Sequence, residues 1–244
     1  MQAPVRRYAV VDVLRGVAIL LMFVFHFSWD LSYFGFADFQ ISTDPFWIWF
    51  ARSIAGTILL VMGISQAVTA AQPFDRQRFI KRFIVIAVSA STISAGTYMM
   101  DPNTFIFFGI LHHIALVSLI MPLLIRQPTQ MIAALAAICF IAPYFFVHEV
   151  FLVEWLWWVG LSPVTPLTND YVPLMPWLGM SLIGVIVGQY LFVNRPSTTL
   201  GNWQPASTFA HMTQFAGRHS LVLYMVHQPI LFGGTYAVYW MLHL

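Results

Sequence analysis

A histidine, His26, stands inside an apolar run that opens with Asp12-Val13-Leu14-Arg15-Gly16 and closes with Phe25-His26-Phe27-Ser28-Trp29-Asp30. Ionisable groups in a lipid-bound span cost several kcal/mol unless paired or turned to a polar cavity, so they mark a functional site by default. His26 and Asp30 are i,i+4 neighbours on a helix; the carboxylate is placed to accept a ring N–H, fix the tautomer and raise the basicity of the other nitrogen. Asp12 and Arg15, at i,i+3, can neutralise each other. Arg15 and His26 are about three turns apart and return to nearly one face. The pattern describes a stripe from a cation to a base, and its chemistry is proton transfer beside an anion site.

The elements that must hold this stripe are membrane helices. The 244-residue chain is 59% hydrophobic and only 8% charged, against roughly 25% charged in a soluble domain, too little polar surface to coat a water-soluble globule. A net charge of +2 excludes nucleic acid as a natural partner. The lone Cys139 rules out a disulfide framework and a Cys-based metal site, and no metal is expected. The first run carries Asp12 and Arg15 and lacks a cleavage site, so it stays as a span rather than a secretory signal. Apolar stretches near 9–34, 46–71, 79–98, 104–125, 130–147, 172–193 and 218–242 are each long enough for a helix to cross a core of roughly 30 Å. The fold class expected is all-α, a polytopic membrane helix bundle of about seven transmembrane helices. The stretch 148–171, with Trp155, Trp157, Trp158, Pro163 and Pro166, reads as interfacial or partly re-entrant. The stretch 194–217, rich in Ser, Thr, Asn and Gln, reads as a solvated loop.

With the N-terminus inside, Arg6, Arg7, Arg76, Arg78, Lys81, Arg82, Arg126, Arg195 and Arg218 fall on one side, leaving Arg15 and Arg52 within spans. Asp38, Asp44, Asp101, Glu149, Glu154 and Asp170 fall on the other, and Asp75 alone is an inner carboxylate. The basic residues set the orientation as N-in and C-out. On that layout His26, His112, His113 and His227 converge near the bilayer middle, each roughly 12–13 Å in from one end of its span. Four imidazoles at one depth describe a proton-handling centre.

Each feature has a plainer reading. Asp12 and Arg15 can serve only each other, and an intramembrane His such as His113 or His219 often joins helices by a hydrogen bond. Gly184 and Gly188 form a small-xxx-small pair that marks close packing. Arg76, Arg78, Lys81 and Arg82 are most simply a topology anchor, with phosphate binding as the alternative. No internal repeat of the kind common in secondary transporters is visible.

The segment Arg7 to Gly35 resembles the first span of bacterial proteins with a heparan-α-glucosaminide N-acetyltransferase catalytic domain, part of a wider superfamily of transmembrane acyltransferases. The resemblance continues through Met62-Gly63-Ile64-Ser65, Phe108-Gly109-Ile110-Leu111-His112 and Asp170-Tyr171-Val172-Pro173-Leu174-Met175-Pro176-Trp177. It ends in Gly217-Arg218-His219-Ser220-Leu221, Tyr224 and His227-Gln228-Pro229. It spans nearly the whole chain and implies a single transmembrane acyltransferase domain over 1–244 in a bacterial cytoplasmic (inner) membrane. The activity it implies is transfer of an acyl group, most simply acetyl, from cytoplasmic acyl-CoA to a sugar hydroxyl or amine. In related acyltransferase-3 proteins an Arg followed eleven residues later by a His is the pattern associated with catalysis; it maps onto Arg15 and His26. The eukaryotic heparan enzyme places its His in the following outer loop, where this chain has none.

Acyl transfer from a thioester needs a base for the acceptor proton, a donor for the developing oxyanion, and exclusion of water. The expected catalytic set is His26 as base, Asp30 as its orienting carboxylate, and His112 or His227 as second proton carrier or oxyanion donor, with a covalent acyl-histidine left open. Asp12, Arg15, Arg76, Arg78, Lys81 and Arg82 are the expected contacts for acetyl-CoA or another acyl-CoA. The partners expected are a glycan, lipid-linked or small-molecule acceptor, membrane lipid, and a second copy of the chain in a homodimer. The rival readings are a proton-coupled transporter or flippase using the same His and Asp groups, and a haem protein using paired histidines.

Overall fold

The computed structural model describes residues 7–195 and 198–243; Arg6 and Leu244 lie outside the described residues. Regular structure among them is helical, with one isolated parallel bridge between Phe108 and Tyr171. Among the described residues five helices are long and apolar enough to cross a membrane: α1 (Ala9–Tyr33), α2 (Pro45–Ala70), α3 (Arg76–Met100), the stretch Leu174–Val193 that opens with α6 (Leu174–Gly188), and α9 (Ser220–Leu242). Two shorter apolar helices, α4 (Ile110–Leu124) and α5 (Thr129–Phe145), lie within the two other stretches where spans were expected. Large apolar side chains are widely exposed, among them Met99 at 85% and Phe145 at 77%, far beyond what a soluble monomer shows to water. The protein is a multi-pass membrane protein.

The chain falls into two compact units, residues 7–58 with 199–243 and residues 59–198, so α2 starts in one and ends in the other. In the first unit α1 packs against α8 (Thr208–Arg218) and α9. Ile19, Met22 and Ile54 form its apolar centre, with Leu223 and Tyr224 against it. In the second unit α5 lies on α6 and α3 on α4. Its core joins Met62 and Ala67 of α2, Val117 and Met121 of α4, Ala136 and Cys139 of α5, and Leu178, Leu182 and Val185 of α6.

Local chemistry sets the helix ends. Gly35, at φ 76°, ends α1: its N–H reaches the Ser32 carbonyl and the Phe36 N–H the Leu31 carbonyl at 2.8 Å, a left-handed C-terminal stop open to glycine at no steric cost. Asp44 accepts from the Phe46 N–H at 2.8 Å ahead of α2, with Pro45 in the first position, where no N–H is needed. Asp75 accepts from the Arg78 N–H at 3.0 Å and is the N-cap of α3. Hydroxyls within spans turn back to the carbonyl one turn earlier, as in Ser28 to Val24, Ser65 to Val61 and Thr235 to Leu231, the usual way to satisfy them away from water.

Two sequence readings change here. The fourth span was expected from about Thr104, but α4 starts at Ile110. Residues 104–109 instead form a turn and irregular backbone tied to 168–172, with the Asn169 N–H on the Thr104 carbonyl (3.0 Å) and the Val172 N–H on the Phe108 carbonyl (3.1 Å). Asp170 Oδ2 accepts from the Ile110 N–H at 2.9 Å and caps α4 from a distant segment. His112 and His113 therefore stand in the first turn of α4, and the depth count that put them well inside a span does not hold. Within 148–171 there are two 3₁₀ turns, the second of which (Glu154–Val159) carries all three tryptophans, and the Tyr171 hydroxyl donates to the Trp157 carbonyl at 2.7 Å; burial pushes this phenol up to about 12.

The second change concerns 194–217. It holds α7 (Thr199–Asn202) and α8 rather than only solvated loop. Ser207 caps α8 by accepting from the Ala210 N–H at 3.2 Å. The face α8 buries consists of Thr213, Gln214, Ala216 and Gly217, while Phe209, Met212 and Phe215 point outward. Polar and small residues lie inside because α1 and α8 approach backbone to backbone. A Cβ on Gly16 would collide with the Thr213 carbonyl oxygen, and one on Gly217 with that of Asp12. The same device joins α2 and α6, where a Cβ on Gly184 would strike the Leu60 carbonyl oxygen and one on Gly188 would crowd Ile64 and Ala67, as the small-xxx-small spacing led us to expect.

Candidate active site

The centre of the site is a pair of imidazoles from α1 and α9. The rings of His26 and His227 lie 4.8 Å apart between centroids, inclined at 63°. Phe23 stacks on His227 at 5.3 Å and Phe25 meets His26 edge-on at 5.5 Å, so an aromatic sleeve fixes both rings. His227 Nδ1 is 2.6 Å from the Tyr224 carbonyl. A carbonyl only accepts, so Nδ1 carries the proton and Nε2 presents a bare lone pair. That Nε2 is buried and meets no partner among the described residues. His26 likewise has no hydrogen-bonded partner on its ring there.

Asp30 is fully buried one turn beyond His26. Its expected partner was the His26 ring; its partner is instead Gln228, whose Nε2 donates to Oδ1 at 2.8 Å. The short aspartate arm leans toward α9, and the longer glutamine arm crosses the gap. Asp30 Oδ2 and Gln228 Oε1 are buried without partners among the described residues. A groove of about 440 Å³, lined by Pro45, Phe46, Trp49, Phe50 and Ser53, opens at the start of α2. Phe50 lies 6.3 Å from Phe25, the ring that contacts His26.

At the other end of α1 the expected ion pair forms, with Arg15 Nη1 3.0 Å from Asp12 Oδ1. A second cation joins it: Arg218 Nε lies 3.3 Å from Asp12 Oδ2. Arg15 also donates to the Gly217 carbonyl at 3.4 Å. Two guanidiniums on one carboxylate leave an excess positive charge at the α1–α8 crossing, suited to a phosphate.

The remaining expected residues belong to the unit of residues 59–198. His112 Nδ1 accepts from the Gly109 N–H at 3.2 Å, and its Nε2 lies 3.0 Å from Ser94 Oγ. The ring is thus engaged at both nitrogens, with the proton on Nε2. Arg76, Arg78, Lys81 and Arg82 are exposed in the first two turns of α3, where basic charge opposes the helix dipole at about 0.3–1 kcal/mol each. Arg78 pairs with the N-cap Asp75 (Nε to Oδ2 3.8 Å), and the cluster as a whole suits a topology anchor or an anion contact.

The sequence model of the family described as heparan-alpha-glucosaminide N-acetyltransferase, catalytic, matches residues 7–229, across both units. The chain belongs to that family. No curated protein and no solved structure matches it. Family membership makes this a membrane protein of the acyltransferase kind, and the family's donor is in general acetyl-CoA.

Gln228 and Arg218 carry no assigned role in the sequence reading, although both lie in the segments that bear the family resemblance. The signal for Gln228 is a carboxamide next to an intramembrane His in an apolar span. Arg218 carries none, since a basic residue at a span end reads as a topology anchor.

Proposed function

We propose that this protein transfers an acyl group, most simply acetyl, from cytoplasmic acyl-CoA to a sugar or other small hydroxyl or amine acceptor, as one transmembrane domain. The observation that carries the reading is the order along α1: an arginine cluster, then roughly 16 Å further an imidazole pair, then the buried Asp30. The acyl-CoA phosphates meet Arg15 and Arg218, and the pantetheine arm runs along α1; the basic turn of α3 is a separate candidate anion site. At the imidazole pair the acceptor oxygen or nitrogen attacks the thioester carbon, its proton passes to a histidine nitrogen, the C–S bond breaks and the thiolate takes the proton. His227, with its tautomer set by Tyr224, is the better-placed base; His26 faces it as the second imidazole, able to donate to the oxyanion or take over the proton. His112 positions the start of α4. Direct transfer and an acyl-histidine intermediate both fit this arrangement. The membrane is a bacterial inner membrane, entered N-in and C-out.

The donor half is tested by acetyl-CoA binding to purified variants. Charge-assisted phosphate contacts contribute about 1.5–3 kcal/mol each, so Arg15→Ala or Arg218→Ala is expected to weaken acetyl-CoA by about 10- to 100-fold. Unchanged affinity in both, and in a variant stripped of the α3 cations, rules out phosphate binding there. The orientation predicts that alkaline phosphatase fused after residue 244 is active and a fluorescent protein that folds only in the cytoplasm is dark. The opposite pair of results breaks the N-in, C-out arrangement.

A further inference from the structure

Among the described residues five buried side-chain polar atoms lack a partner, and three of them belong to consecutive rungs of the α1–α9 contact: His227 Nε2, Asp30 Oδ2 and Gln228 Oε1. Leaving such atoms unpaired costs about 1–3 kcal/mol each, so this concentration marks a place built to meet something. All three are acceptors. A carboxylate only accepts, which turns the Gln228 amide nitrogen toward Asp30 and leaves Oε1 on the other side. The Nδ1–H of His227, given to Tyr224, leaves Nε2 as a lone pair. The carbonyl of a thioester satisfies none of them, because it too only accepts. A molecule rich in O–H or N–H satisfies all three.

We infer that Asp30 and Gln228 form an acceptor-reading subsite, taking hydrogen bonds from hydroxyl or amino groups that adjoin the group being acylated at the imidazole pair. The inference rests on the acyltransferase reading above. One turn of α1, roughly 6 Å, separates the Asp30 rung from the His26 rung, the scale of a single sugar ring. The subsite therefore selects polyhydroxylated or amino-alcohol acceptors over simple alcohols, and it couples selection to chemistry through the consecutive residues His227 and Gln228.

The test compares methyl glucoside with cyclohexanol, a ring of similar size with no adjoining donor, in the wild type and in Asp30→Asn. Asparagine keeps the shape and the tie to Gln228 but puts an N–H where Oδ2 was. The wild type is expected to favour the sugar by about 10- to 100-fold in kcat/KM. Asp30→Asn is expected to erase most of that preference through the acceptor KM, with acetyl-CoA affinity held. Calorimetric titration of the sugar without acetyl-CoA gives a second readout independent of turnover. Turnover in which Asp30→Asn keeps the wild-type preference overturns the subsite and leaves the acyltransferase standing. Sugar binding that Asp30→Asn abolishes, with no transfer to any acceptor, upholds the subsite and removes the acyltransferase reading. Equal wild-type binding of sugar and cyclohexanol overturns the subsite as well.

Discussion

His227→Ala is expected to lower kcat by about 10²- to 10⁴-fold with acetyl-CoA binding nearly intact, the loss typical of removing a general base. The ring offers one buried lone pair, its other nitrogen committed to the Tyr224 carbonyl at 2.6 Å. His26→Ala is expected to fall in the same range, since its ring lies 4.8 Å from that of His227. The double variant is expected to be little worse than either single one, because groups acting as a unit are not additive. Glutamine separates chemistry from packing: it keeps a polar side chain in the helix interface but has no titratable nitrogen. If the imidazoles only joined α1 to α9, His26→Gln and His227→Gln would restore turnover along with folding.

The second large effect is on the α1–α8 crossing. Gly16→Val or Gly217→Val puts a branched side chain where a single Cβ already collides with a backbone carbonyl of the facing helix. Backbone cannot swing aside as a side chain can, so the helices must separate. Overpacking costs about 1–3 kcal/mol, which for a chain of this size lowers Tm by roughly 2–12 °C. The same shift moves Asp12 away from Arg218, and weaker acetyl-CoA binding is expected to accompany it. Gly233 and Gly234 on α9 have open space at the Cβ position, so Gly233→Ala and Gly234→Ala are expected to hold Tm or raise it slightly. Equal tolerance at Gly16 and Gly233 in detergent melts would contradict the close crossing.

The long apolar runs disclosed the helices because a membrane span is written in composition over about twenty residues, and α1, α2 and α9 begin and end within a few residues of expectation. The Asp12–Arg15 pair was legible for a similar reason: i,i+3 spacing within one helix is a local rule. What spacing could not show is which distant arm wins a buried group. Asp30 has His26 one turn away, yet its partner comes from α9. Asp12 likewise gains Arg218 from across the helix crossing. The start of α4 was misread because Thr104–Gly109 is as apolar as a helix, and only its hydrogen bonds to 168–172 hold it outside the helix. The helix α8 was missed because its buried face is polar and small, the reverse of the pattern that marks a packed helix in composition.

The most direct test of the central claim follows radiolabelled acetyl from acetyl-CoA onto a sugar acceptor, using purified wild type, His26→Gln and His227→Gln in matched detergent preparations of equal thermal stability. Acyl transfer at the imidazole pair predicts one CoA thiol released for each acetyl group moved, with both glutamine variants slower by about two orders of magnitude or more. Near-wild-type transfer by either well-folded variant, or acetyl-CoA left intact by the wild type across hydroxyl and amine acceptors, would contradict it.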